Sequence, residues 1–235
     1  MNKRRKTIII MNKARTNRRR SPEENNYVTR GLVKHFDGIN NTGSGYSESS
    51  DIFKDLVGNN DGKLIGVPVW VENGLKLSGD DPLLKVEFRG DITSDYTISC
   101  VHQIDKMTTH PRLWGDPVFP SCFINSNTRR YSNFSSGRDA PFEPFTLAQM
   151  GVKTQVTIRY SQETRIAELF IKGVKVAELD NVPIPRSVPT AYLGNNAAAN
   201  RGLDGVIYNN LYYGLALTDS EIMSNYLVDK ERFGI

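Results

Sequence analysis

From Gly31 onward the chain is written in short runs that alternate apolar and polar residues, broken by clusters of turn formers, and this pattern allows little besides an antiparallel all-β sandwich. The clearest run is Tyr96 to Ile104. With a side-chain period of two, Tyr96, Ile98, Cys100, His102 and Ile104 share one face, and Thr97, Ser99 and Gln103 point the other way. Val156, Ile158 and Tyr160 repeat the alternation. Ile166 to Ile171 and Val174 to Leu179 read as a hairpin closed through Lys172-Gly173, where glycine supplies the positive φ of a tight turn. Further strands are expected at Gly31 to Asp37, Leu75 to Leu77, Leu83 to Phe88, Ala191 to Leu193 and Val206 to Tyr213. Trp70, Tyr208 and Tyr212 are assigned to the core.

Helix is expected only at the end. Thr218 can cap the third amide while Glu221 reaches back, a capping box, and Asp219 suits the positive end of the helix. Ile222, Met223, Tyr226 and Leu227 are expected to form its apolar stripe, and Gly234 its stop. The segment Met107 to Met150 holds Pro111, Pro117, Pro120, Pro141 and Pro144, so it reads as irregular surface or edge strand, a place for specific binding. No apolar run approaches the ~18 residues of a membrane span.

Ahead of the sandwich lies a basic arm, residues 1–30. Its first twenty residues carry Lys3, Arg4, Arg5, Lys6, Lys13, Arg15, Arg18, Arg19 and Arg20 and no acid, nine of the chain's 30 lysines and arginines. The other 21 basic residues face all 26 acidic ones, about −5, so the overall +4 belongs to the arm. Such a run cannot bury enough apolar surface to offset its own ordering entropy, and it calls for a holder: an acidic neighbouring protein, nucleic acid, or copies of the chain itself. Docking on protein is the favoured reading, because the arm has no aromatic residue for base stacking and Thr7 to Met11 suits strand addition to a neighbour's sheet edge. The five residues Thr7 to Met11 fall short of a signal core, so no export signal is read and a cytoplasmic origin is expected. Cys100 and Cys122 are then expected to remain thiols, although a bridge between them is the alternative.

The stretch Gly31-Leu-Val-Lys-His-Phe-Asp-Gly-Ile-Asn-Asn-Thr-Gly-Ser-Gly-Tyr46, followed by Phe53-Lys-Asp-Leu-Val-Gly-Asn-Asn-Asp-Gly62, resembles the opening of a concanavalin-A-like, laminin-G-like lectin/glucanase domain. Asn73-Gly-Leu-Lys-Leu-Ser-Gly-Asp-Asp81, Tyr96-Thr-Ile-Ser99, the hairpin at Ile166 to Leu179 and the closing run Gly205 to Ile222 follow in that family's order. The resemblance spans residues 31–235 and implies two antiparallel sheets in a jelly roll with a short C-terminal helix. The Asp37-Gly-Ile-Asn-Asn-Thr42 opening and the Tyr226 to Ile235 ending are similar to modules of bacteriophage structural proteins, which implies a non-enzymatic virion protein, capsid- or tail-associated, with other virion proteins and copies of itself as partners. A soluble carbohydrate-binding module and a nucleic-acid-associated packaging protein are the alternatives.

Fold alone does not give function, so the chemistry must come from residues. Glucanase relatives carry paired carboxylates in a Glu-x-Asp-x-Glu or similar pattern, which two-carboxylate hydrolysis requires. The nearest spacings here, Asp219-Ser-Glu221 and Asp229-Lys-Glu231, belong to the terminal helix, and no catalytic residue is assigned. His35, His102 and His110 lack the spacing of a zinc or triad site, and His102 reads as a core residue. Asp80 and Asp81 could offer oxygens to Ca²⁺, but two carboxylates meet only part of its shell and turn residues are the simpler reading; otherwise no cofactor is expected. For a glycan, Trp114, Tyr131 and Phe134 beside Asn133 form a candidate stacking platform within the proline-rich segment.

Overall fold

A computed structural model describes residues 26–79, 81, 83–92, 94–115, 120–135, 138–142 and 148–235. The nine cations of the arm, Lys3 to Arg20, lie outside the described residues, as does Asp80. Sixteen strands are found among the described residues: β1 (Leu32–Asp37), β2 (Ile52–Phe53), β3 (Gly62–Ile65), β4 (Val69–Val71), β5 (Gly74–Leu77), β6 (Lys85–Gly90), β7 (Tyr96–Lys106), β8 (Arg112–Trp114), β9 (Cys122–Asn125), β10 (Arg130–Ser135), β11 (Arg138–Pro141), β12 (Thr154–Ser161), β13 (Ile166–Ile171), β14 (Val174–Leu179), β15 (Val188–Leu193) and β16 (Asp204–Tyr213). One α-helix, α1 (Asp219–Phe233), follows them.

The strands form two antiparallel sheets. One runs β14-β13-β12-β7-β16-β5-β4, with β1 continuing the row of β5 along the same edge of β16; the other runs β11-β10-β9-β8-β15-β6-β3-β2. Consecutive strands pass repeatedly from one sheet to the other, as β5, β6, β7 and β8 do, which is how a jelly roll encloses its core. The inward residues of both sheets make one large apolar cluster that includes Phe36, Phe53, Leu75, Ile98, Cys100, Trp114, Cys122, Tyr160 and Tyr212. This is the all-β sandwich expected from the alternation.

The proline-rich segment departs from expectation. It supplies four strands, β8 to β11, to the second sheet. Pro111 and Pro120 sit just before strands and Pro141 ends the edge strand β11, positions where a missing amide hydrogen breaks no ladder. These three prolines punctuate strands rather than excluding them, and Pro117 and Pro144 lie outside the described residues.

β7 differs too, because both of its faces are buried. Tyr96, Ile98, Cys100 and Ile104 face the intersheet core, whereas Thr97, Ser99 and Val101 on the outer face lie in the part of the sheet that α1 and the chain ends cover. The capping box at Thr218 is present: Glu221 N donates to Thr218 Oγ1 (3.3 Å) and Thr218 N donates to Glu221 Oε2 (2.8 Å). Gly234 stops the helix in the left-handed region (φ 68°), its amide donating to Lys230 O. The buried face of α1, however, is Ile222, Asn225, Val228, Asp229 and Phe233, while Leu227 is 46% exposed. The expected stripe was read on hydrophobicity alone. Two polar side chains, Asn225 and Asp229, turn inward because β16, β12 and the segment before β1 present polar partners to them.

That segment is a strap. Tyr27 Oη donates to Asp229 Oδ1 (2.7 Å), Val28 N to Asn225 Oδ1 (2.9 Å), and the Arg30 guanidinium forms a forked pair with Glu221 (2.8–3.1 Å). Packing of the domain thus reaches back to Tyr27. At the far side of the helix, Lys172 and Gly173 both hold positive φ in the β13–β14 turn, and a Cβ on Gly173 would meet Met223 and Tyr226 at 3.0–3.1 Å. Glycine there serves the turn and the approach of the helix together.

Candidate functional site

The residues expected to bind a glycan fall mostly inside the protein. Trp114 is fully buried and Tyr131 is 2% exposed, both in the central apolar cluster, and Asn133 is 2% exposed. They correct the reading of a surface platform: β8 and β10 are strands of the sandwich, so their large aromatics fill its core. The side chain of Phe134 lies outside the described residues. Tyr131 Oη meets His102 Nε2 at 3.1 Å, and burial lowers the His102 pKa to about 4, so this imidazole is a neutral core group at physiological pH. Cys100 and Cys122 are free thiols in the same core, and burial raises both well above the ordinary thiol value. Asp81 accepts from Leu83 N (2.9 Å) within a turn. Among the described residues no group of three or more His, Cys, Asp or Glu side chains could hold a metal ion, and no helix is long and apolar enough to cross a membrane.

One concave feature among the described residues lies at the rim of the sandwich, where β1 and the end of β16 meet the link from β6 to β7. It is a cavity of about 230 Å³. Its walls come from Lys34 and Val33 of β1, from Asp91, Ile92 and Ser94 of the link, and from Tyr212 and Gly214. A β-bulge builds it. The β1–β16 register shifts between Leu32 and Lys34, which leaves Val33 42% exposed and sets Lys34 opposite Tyr212, on the inward face that Phe36 continues. Bulges of this kind re-aim a side chain at a sheet edge.

The floor is rigid. Tyr212 is fully buried, with its ring centroid 5.3 Å from Phe88 and 6.4 Å from Phe36, and burial holds its phenol well above the ordinary tyrosine value and so protonated. Ile92 is 4% exposed beside it. The walls carry the polar groups. Lys34 is buried along its stem, and its Nζ stands 3.7 Å from Asp91 Oδ2, while Arg89 Nε donates to Asp91 Oδ1 at 2.7 Å. The link itself is pinned at both ends, by Ser187 Oγ on Gly90 O (3.0 Å) and by Gln162 N on Asp95 Oδ1 (2.7 Å). The cavity therefore offers a cationic donor, a carboxylate acceptor and the Ser94 hydroxyl, which can do either, beside the exposed Val33 side chain and above a base of buried apolar residues. This is smaller than the ~300–1,000 Å³ clefts of drug-sized ligands and suits a single polyhydroxylated ring.

Sequence reasoning placed Tyr212 in the core, where it is, but passed over Lys34, Asp91 and Ser94. One signal was available: Lys34 shares its parity with Leu32 and Phe36, which makes it a cation on an otherwise apolar face. Asp91 and Ser94 carry no local pattern, because only the crossing of the link over the rim brings them to Lys34.

These features define a two-sheet antiparallel β-sandwich with a rim cavity. The fold is shared with solved structures at low sequence identity. Over 86% of this chain it is similar to Trypanosoma rangeli sialidase in complex with sialic acid, with a TM-score of 0.64 and 16% identity. It is likewise similar to domain 4 of AbnA, a GH43 extracellular arabinanase from Geobacillus stearothermophilus, in complex with arabinotriose, with a TM-score of 0.63 and 17% identity over 83% of this chain and 98% of that domain. The chain spans about a third of the sialidase, 33% of its length. No protein-family model matches the sequence, and no curated protein matches it.

Proposed function

We propose that this chain is a non-catalytic carbohydrate-binding domain that its basic arm tethers within a larger assembly. The observation that carries the reading is the rim cavity, in which a donor (Lys34), an acceptor (Asp91) and a hydroxyl (Ser94) converge beside the exposed Val33 side chain. Sugars are bound by such convergent polar groups beside apolar surface. Similarity in fold to a domain whose structure is in complex with arabinotriose supports it. The non-catalytic part is supported by the walls: Asp91 is their sole carboxylate among the described lining residues, and two-carboxylate hydrolysis needs a second one within ~5–9.5 Å. The narrower placement, a virion protein made in the host cytoplasm and surrounded by other virion proteins, draws on the resemblance of the opening and ending segments to phage modules and on the charge of the arm.

The test is titration of the full chain with neutral and acidic oligosaccharides, arabinotriose among them, followed by calorimetry or by chemical-shift changes. Saturable binding that Asp91→Ala weakens at least ten-fold, with the melting temperature unchanged, is expected. A folded chain that binds no member of the panel overturns the reading.

A further inference from the structure

The charges around the cavity narrow the class of sugar. The Lys34 side chain is only 6% exposed, yet among the described residues no acceptor lies within hydrogen-bond reach of its Nζ. Its nearest carboxylate oxygen, Asp91 Oδ2, is 3.7 Å away, and the other oxygen of Asp91 already receives Arg89 Nε at 2.7 Å. Two cations thus share one anion, and the more deeply buried of the two holds the weaker contact. Lys34 Nζ keeps some contact with solvent at the cavity, and an anionic oxygen that a ligand brings there adds a charge-assisted contact that the distant Asp91 does not give. A neutral sugar hydroxyl would occupy the free N–H donors but leave the charge excess in place. A carboxylate answers both needs, in a site partly withdrawn from water where a charge-assisted hydrogen bond is strongest.

We infer that the glycan taken by this cavity carries a carboxylate, as a uronic-acid or sialic-acid residue does. Its anionic group sits on Lys34 Nζ, its hydroxyls are shared between Asp91 and Ser94, and its ring lies against Val33, the exposed apolar residue of the lining. The inference rests on the carbohydrate-binding reading. The competing explanation is that Lys34 merely lays its stem along the rim and keeps its ammonium at the water boundary, as long cationic side chains do. In that case the ligand's charge is irrelevant to binding.

Matched pairs of probes separate these explanations without any variant: oligogalacturonide against its methyl ester, and sialyllactose against lactose, each titrated into the full chain at low and high salt. The acidic member of at least one pair should bind about ten- to a hundred-fold more tightly than its neutral partner, the range a charge-assisted hydrogen bond provides, and the advantage should shrink with salt. Lys34→Met, which keeps the stem, should bring the two members of that pair to equal affinity while the melting temperature holds. Equal affinity for acidic and neutral sugars in the native chain overturns the acidic-sugar inference and leaves carbohydrate binding standing. An acidic preference that survives Lys34→Met also overturns it, since the charge would then be read elsewhere. Absence of binding to every sugar overturns both readings.

Discussion

Asp229 is fully buried beneath α1, and burial raises its carboxyl from 3.8 to about 6 despite the hydrogen bonds it accepts from Tyr27, Gln155 and Asn209. A carboxyl that holds its proton more firmly in the folded chain binds more protons when folded than when unfolded between about pH 4 and 6, so its effect on stability is most favourable below pH 4 and is lost as pH rises through 6. Two pH units at 1.36 kcal/mol each place the cost of the charged form at about 3 kcal/mol above pH 7. Asp229→Asn removes that charge and keeps the shape. The new amide oxygen can still accept from Tyr27 and Asn209, and its nitrogen can donate to Gln155 once that side-chain amide turns over. Gln155 Oε1, buried and without a hydrogen-bond partner among the described residues, then accepts, while Gln155 Nε2 takes its former place, so the number of unpaired atoms stays the same. Arg232 keeps its pairing with Asp37. The variant should therefore exceed the native chain in stability by up to about 3 kcal/mol at pH 7.5, with the gap closing toward pH 4. Urea unfolding of both proteins at half-unit steps from pH 4 to 8 reads the difference directly. His102, whose pKa burial lowers to about 4, costs both proteins stability as pH falls below 6.5, and it cancels in the subtraction. A difference that stays flat with pH, or a native chain more stable at pH 7.5, refutes the reasoning.

Thr218→Ala removes the helix cap and should lower stability by roughly 0.5–2 kcal/mol in the same unfolding assay; an unchanged midpoint would mean that the cap contributes nothing to the closed sandwich. Trp114→Ala should cost about 3–5 kcal/mol, the penalty for emptying a core site, and in whatever fraction remains folded the sugar affinity should be unaltered, which calorimetry at low temperature can check. A chain beginning at Ser21 should melt with the full chain, because the strap from Tyr27 to Arg30 is intact, whereas one beginning at Gly31 should melt lower; only the loss of the arm's cations should weaken salt-sensitive association with an acidic partner, measured by co-sedimentation at 0.1 and 1 M salt, where the Debye length shortens from ~10 to ~3 Å.

Local rules decided much of this protein. The period-two runs named β7, β12 and the β13–β14 hairpin, because each strand's neighbours are chosen by which side chains must leave water, and that choice is visible in a window of eight residues. The capping box at Thr218 and the stop at Gly234 were legible for the same reason: a helix end is satisfied by residues three or four positions away. Long-range contacts decided the rest. Trp114 and Tyr131 looked like surface aromatics in a proline-rich stretch, and only the pairing of β8 with β15 and of β10 with β9 turned them inward. Asn225 and Asp229 lie off the expected apolar stripe, and they are buried because Tyr213, Asn209, Gln155 and Tyr27, far away in sequence, share hydrogen bonds with them. The rim cavity belongs wholly to this second kind. Lys34, Asp91, Ser94 and Tyr212 carry no shared motif, and what joins them is a one-residue bulge in β1 and a link crossing between two sheets, a matter of register and topology that no stretch of sequence contains by itself.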